Sequence, residues 1–321
     1  MDPRIKQNSA NESTGRVPHW LLCLLLLFPF SCQAAENVLI LLSENAPAYL
    51  KVANEIVSNG PPIDIETSLF SNLKGAVPET LKPYSTIVPI GAAATEFALA
   101  TAPPGTTLIC SFLPRSVYRL LLHQYDARIK ALQLQTSAIF LDQPYTRQLA
   151  LARIIKPDFK WLGVILGPSS KRDLDLLQQA ALQLQVNLTY DSLEITDNPV
   201  RRLQPLMEKS DMFIALPDQA IFNQTTAKWL LYMSYRKQIP LISFSRSYVE
   251  AGAIAAVISS PEQVGQHTAE LISILYQENR LPEPQHSKYF SVTTNPQAAR
   301  KLNIALPAPL ILQRLLMEAE H

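Results

Sequence analysis

Few architectures accommodate residues 212–258. An apolar run at 212–216 (MFIAL) stops at Pro217 and Asp218, and after one helix-length a second at 239–244 (IPLISF) stops at Ser245 and Arg246. A third run, 253–258, follows Gly252. Short apolar runs separated by helical segments are the sequence form of buried parallel strands, because helices cover both faces of such a sheet. In open sheets of this kind ligands bind just beyond the carboxyl ends of the strands. Asp218, Ser245 and Arg246 belong at those ends.

The same alternation fills the chain on either side. Strands are predicted at 38–42, 63–69, 86–90, 107–110 and 138–141, with helices between them. Pro47 opens the first helix, and Tyr49, Val52, Ala53 and Ile56 share its inner face. Residues 115–130 read as one amphipathic helix, and the helix after Pro144 carries Leu149, Ala152 and Ile155 on one side. The pattern then restarts with strands at 162–166 and 187–195, a stripe of Leu174, Leu177, Ala181 and Leu184, and a helix at 199–209. Ser260, Pro261 and Gln263 spell a capping box for the last long helix. Residues 289–293 form a short extended crossing, Asn295 starts a terminal helical segment, and the polar tail 318–321 is expected to fray. At 321 residues the chain suits two lobes of ordinary size, so the economical reading is two α/β halves in series.

The first 35 residues stand apart. The apolar run 20–30 (WLLCLLLLFPF) follows Arg16 and precedes Ser31, Cys32, Gln33, Ala34 and Ala35. A basic flank, a short apolar centre and small residues at the end make a secretory signal, cleaved after Ala34 or Ala35 and too short to span a bilayer. The rival reading is a lipoprotein signal with Cys32 acylated. Cleavage would remove Arg4, Lys6 and Arg16 with Asp2 and Glu12, leaving equal numbers of basic and acidic residues from the 28 and 27 of the whole chain. A neutral chain without a basic stripe is a poor nucleic-acid binder. Cys23 and Cys32 lie in the signal, so Cys110 would remain alone, read as a small buried hydrophobe.

Three stretches carry a family resemblance: AIFLDQPYTRQLALARIIKPDFKWLGVILGPSS, ALPDQAIFN, and IPLISFSRSYVEAGAIAAVISSPEQVGQHTAELI, with NPQAARKLNIALP near the end. Over most of residues 136–308 the chain resembles the ABC-transporter substrate-binding proteins, the class that includes tryptophan and other aromatic amino-acid binders. The resemblance is weaker over 36–135. It implies a periplasmic-binding-protein type I-like fold: two Rossmann-like parallel-sheet lobes joined by three crossing segments and closing over a solute. The crossings fall near 142–144, 257–261 and 289–293. Lobe one is then 36–143 plus 260–288, and lobe two 144–259 plus 289–321. Such a protein is expected in the periplasm as a monomer without a cofactor. Its partners are a small-molecule ligand and either an ABC transporter permease or a membrane sensor.

Candidate ligand contacts follow from strand ends and from the resemblance. Gly91, Ala92 and Thr95 lie where a strand gives way to a helix, whose first N–H groups can hold a carboxylate; an ordinary tight turn explains them as well. Asp218 either pairs with a ligand amine or hydroxyl, or caps the helix leading to Trp229. Asp142 shares that ambiguity with the helix after Pro144. Ser169 and Ser170 either donate to a ligand or cap the helix at Lys171. Ser245, Ser43 and Glu44 are placed by their position at strand ends. Phe112, Phe244, Tyr145 and Phe222 lie near strand ends and can stack on a planar solute, or fill cores.

Catalysis finds little support. His123, His267 and His286 are scattered, no Cys pair or H-x-x-x-H spacing occurs, and nucleotide-loop and nucleophile-elbow motifs are absent. Asp173 and Asp175 read as exposed residues favouring a helix dipole. The expected function is capture of an amino acid or similar carboxylated solute for transport. Its alternative is the same fold used for sensing or for docking a partner.

Overall fold

A computed structural model describes residues 37–73, 75, 79–194, 197–218, 221 and 224–320. The signal, Cys32 and Phe222 lie outside the described residues. The strands are β1 (Val38–Leu42), β2 (Ile65–Leu69), β3 (Thr86–Ile90), β4 (Thr107–Leu113), β5 (Gln135–Phe140), β6 (Trp161–Leu166), β7 (Asn187–Ser192), β8 (Met212–Ile214), β9 (Leu241–Ser243), β10 (Ala255–Ile258), β11 (Gln285–His286) and β12 (Ser291–Thr294). The helices are α1 (Pro47–Asn59), α2 (Ala92–Thr101), α3 (Arg115–Gln124), α4 (Asp126–Ala131), α5 (Tyr145–Ile155), α6 (Leu174–Gln183), α7 (Pro199–Glu208), α8 (Gln224–Lys237), α9 (Arg246–Ala251), α10 (Pro261–Glu278), α11 (Pro296–Lys301) and α12 (Pro309–Ala319).

These strands form two six-stranded sheets, ordered β11-β5-β4-β3-β1-β2 and β12-β10-β9-β8-β6-β7. Every pairing is parallel except β10 with β12. β1 and β3 are buried along their whole length, as a sheet covered on both faces requires. Each sheet has an apolar core on either side. In the first, Leu39, Leu99 and Tyr118 belong to one core and Ile40, Ile56 and Leu271 to the other. In the second, Leu149, Leu177 and Leu316 face one side and Leu203, Phe213 and Leu230 the opposite one. The chain passes between the sheets three times: from β5 to β6, from β10 to α10, and from β11 to β12.

The capping box forms as the sequence implies, with Ser260 accepting from the Gln263 N–H and the Gln263 side chain accepting from Ser260. Three expectations need correction, and one element has no counterpart in the sequence pattern. The helix predicted at 115–130 divides at Tyr125 into α3 and α4. A two-residue strand, β11, joins the edge of the first sheet, too short and polar to leave a periodic signal. Asp173 stands at the start of α6 as expected, with Asp175 exposed in its first turn, but it closes a 3-10 turn and is buried, not exposed. The tail does not fray at 318: α12 runs to Ala319, and Glu320 pairs with buried Arg147.

His267, on α10, is 4% exposed and its Nδ1 accepts the Lys288 N–H at 3.2 Å. Burial pushes its pKa down from 6.5 to about 4, with Glu270 opposing and Lys288 reinforcing the shift. Above about pH 6.5 neither the folded nor the unfolded chain protonates this ring. Between 6.5 and 4 the unfolded chain takes up a proton that the native state refuses, so stability falls as pH falls through that window. The loss from this residue is at most about 3 kcal/mol. Urea melts at pH 7 and pH 5 should show it, and His267→Gln should flatten the difference.

Candidate functional site

The carboxyl ends of strands from both sheets converge on one cavity of about 380 Å³. Pro114 and Leu141 come from beyond β4 and β5, Pro217, Phe244 and Ser245 from beyond β8 and β9, and Val257 and Ile258 from β10. Asp142, Gln143 and Ser259, on the crossing segments, complete the wall with Gln148 from α5 and Arg246 from α9. The walls are therefore largely apolar with a few polar groups, the usual chemistry of a small-molecule site. Arg246 is exposed and has no acidic partner among the described residues.

Asp142, Phe244 and Ser245 are thus brought together. The Asp142 carboxylate does not cap the helix after it: Oδ1 accepts the Arg115 N–H at 2.7 Å, while Oδ2 lies 3.6 Å from His286 Nε2. Ser245 caps α9 by accepting the Tyr248 N–H at 3.4 Å. Phe244 packs on Tyr248, their ring centroids 5.1 Å apart.

A second group gathers at the ends of β1, β3 and β4. Gly91 has φ +89°, and a Cβ there would lie 2.6 Å from the Tyr49 ring and 2.7 Å from Ser43 Oγ, so only glycine fits this turn. Its N–H donates to the Ser111 carbonyl at 2.8 Å. Ser43 Oγ accepts the Ala94 N–H at 2.9 Å, whereas the Ala92 and Ala93 N–H groups have no protein acceptor among the described residues. Thr95 is fully buried and its hydroxyl donates to the Gly91 carbonyl at 2.8 Å, so it holds the turn from behind. Phe112 sits at a register shift with φ 57°, an unusual conformation for a bulky residue, and its ring meets Tyr49 edge-on at 5.5 Å. Glu44 is exposed beside them.

Asp218 and Ser170, both buried, form a third group in the second sheet's lobe, which the exposed Ser169 joins through its backbone N–H. Asp218 is 3% exposed, and its Oδ2 accepts from the Ser169 N–H (3.0 Å), the Ser170 N–H (2.8 Å) and Ser170 Oγ (2.9 Å). Ser170 Oγ also accepts the Gly167 N–H at 2.9 Å.

The crossing segments are bound to one another. Gln143 Nε2 donates to Ser259 Oγ at 2.8 Å, and Ser259 Oγ donates to the Tyr289 carbonyl at 2.6 Å, so all three crossings share one chain of hydrogen bonds. Arg147 adds contacts to Gln143 Oε1 at 2.7 Å and the Ser287 carbonyl at 3.0 Å. Beside the hinge, Asp173 draws in Arg115 at 3.4 Å, Arg119 at 3.8 Å and the Tyr145 hydroxyl at 3.1 Å. The Tyr145 ring position is thereby tied to an ion pair between the lobes. Gln148, Gln143 and Ser259 escaped the sequence reading, because nothing in their spacing marks them. Arg246 was legible only by its place after a strand. Cys110 is fully buried and burial pushes its thiol up to about 12, so it carries no thiolate for nucleophilic chemistry.

Two parallel-sheet lobes, three crossings and a cavity between strand ends define a type I periplasmic-binding-protein architecture. The sequence pattern of the ABC transporter substrate binding protein family matches residues 142–317, and the chain belongs to that family. A substrate-binding protein with adhesive properties from Clostridium difficile, in its ligand-free open form, is similar in fold: TM-score 0.66, 17% identity, covering 85% of this chain and 96% of that one. A conserved domain protein from Vibrio cholerae gives TM-score 0.55 at 18% identity, covering 86% and 97%. A Streptococcus pneumonia ABC domain in complex with L-Trp gives 0.54 at 14% identity, also covering 86% and 97%. No curated protein matches the sequence.

Proposed function

We propose that this chain is an exported solute-binding protein that captures a small carboxylated molecule, such as an amino acid, and presents it to an ABC transporter permease. The observation carrying this reading is the cavity between the strand ends, where exposed Arg246 supplies a cation without an acidic partner among the described residues. A guanidinium beside apolar walls suits a carboxylate on an apolar body. The L-Trp complex of the Streptococcus pneumonia domain supports the same solute class. Lobes of 36–143 plus 260–288 and 144–259 plus 289–321 would close on the solute, with Ala92 and Ala93 N–H groups, Ser43, Phe112 and Phe244 meeting it from either side. Nothing in this arrangement requires a chemical step. The run at 20–30 and the small residues after it support export to the periplasm, with cleavage near Ala35 or acylation of Cys32.

A second reading keeps the fold without transport, as a ligand sensor or partner-docking protein. It is favoured by the family match beginning at Asp142, which leaves most of the first sheet outside it. A thermal-shift screen against amino acids, nucleosides, sugars and small carboxylates separates the two. A solute at 100 times its dissociation constant should stabilise the protein by about 2.7 kcal/mol. A carboxylate that shifts the melt while its methyl ester does not supports capture at Arg246. Silence across the panel favours partner docking.

A further inference from the structure

Gln148 lines the cavity from α5 and is 2% exposed. Its Nε2 donates to the Gln143 carbonyl at 3.0 Å, which fixes the orientation of the amide, since a flip would set two oxygens against each other. Its Oε1 is then buried with no hydrogen-bond partner among the described residues. Buried carbonyl oxygens are nearly always partnered, so an exception in a residue that lines a cavity calls for an explanation, and a donor arriving from the cavity supplies one. Resting on the solute-capture reading above, we propose that Gln148 is a specificity-determining residue whose Oε1 accepts an N–H or O–H of the bound solute. Together with the Arg246 cation it selects solutes that carry both an anionic group and a donor.

The position of Gln148 also gives this contact a mechanical consequence. The carbonyl it holds belongs to Gln143, whose side chain reaches Ser259 and, through it, the Tyr289 carbonyl. A donor arriving at Gln148 therefore engages the first link of the hydrogen-bond chain that joins the three crossing segments. Occupancy and hinge geometry meet at one side chain.

The test uses pairs of probes with the same apolar body and carboxylate, differing in the donor. Each L-amino acid is paired with its desamino acid: L-phenylalanine with 3-phenylpropionate, L-leucine with 4-methylpentanoate, L-tryptophan with indole-3-propionate. Affinities are measured by calorimetry on the wild-type protein, Gln148→Met and Gln148→Glu. Wild-type protein should prefer the amino acid by about ten-fold or more. Gln148→Met should erase that preference; it removes an unpartnered acceptor but also takes the donor from the buried Gln143 carbonyl, so the Tm of the unliganded protein should fall modestly. Gln148→Glu keeps an oxygen acceptor toward the solute but sets its other oxygen against the Gln143 carbonyl, so it should retain the preference at a lowered Tm. If wild-type protein binds a pair without preferring the donor-bearing member, or Gln148→Met keeps the preference, the inference fails and solute capture stands. Binding of no probe by wild-type protein sinks both, and Gln148→Leu takes the place of Gln148→Met should that variant not fold.

Discussion

Replacing Arg147 with methionine is expected to destabilise the protein by about 3 kcal/mol, read as a lowered urea midpoint at unchanged slope. The guanidinium is 6% exposed and sits 4.1 Å over the Phe290 ring. Its Nε and Nη2 pair with the two oxygens of Glu320, Nη2 at 2.9 Å, while Nη1 serves Gln143 Oε1 and the Ser287 carbonyl. Methionine fills much of the volume but leaves two buried acceptors without a donor, each costing about 1–3 kcal/mol. Glu320 adds less, because its side chain is 35% exposed and water can solvate it. Glu320→Ala should therefore cost distinctly less than Arg147→Met, since the guanidinium keeps two acceptors and the ring. Lysine should rescue poorly, because one ammonium cannot present the planar fork that meets Glu320 while also reaching Gln143 and Ser287. The ordering Met, Lys, then Glu320→Ala, from most to least damaging, is what the melts should return.

That arrangement also shows what a linear reading leaves out. Strands such as β1 and β3 are legible because burial on both faces forces uninterrupted apolar runs, and the Ser260 box is legible because its partners lie three residues apart. Arg147 and Glu320 are 173 residues apart, Arg115 and Asp173 are 58 apart, and neither pairing leaves a periodicity. Glu320 consequently reads as a frayed tail and Asp173 as a dipole partner for its own helix. The site divides along the same line. Asp142, Phe244 and Ser245 follow from their places after strands. Gln148 lies in the first turn of α5 with hydrophobic neighbours on its helix face, and its significance depends on an oxygen that only the folded arrangement leaves unpaired. Phe112 is similar: its left-handed backbone arises from a register shift between β4 and β5, which strand propensity alone does not reveal.

Asp218 is where stability and recognition separate most sharply. Asp218→Ala is expected to cost about 3 kcal/mol or more, since it strips a charged acceptor from two backbone N–H groups and the Ser170 hydroxyl in a buried turn. The turn has little room to repack. A Cβ on Gly167 would lie 2.7 Å from the Asp218 carboxyl atoms, so Gly167→Ala should disturb the same knot. Asp218→Asn keeps a neutral oxygen for those donors and should cost roughly half as much, because hydrogen bonds to a charged acceptor are about twice as strong as neutral ones. The binding outcome is the sharper one. With Oδ2 committed to three internal donors, folded Asp218→Asn protein should hold its best amino-acid probe within about two-fold of wild type, a change of only a few tenths of a kcal/mol. A loss of about a hundred-fold with an unperturbed melt would instead mean that the carboxylate pairs with the solute's ammonium. Asp218 would then be a recognition residue, and the internal hydrogen bonds the means of aiming it.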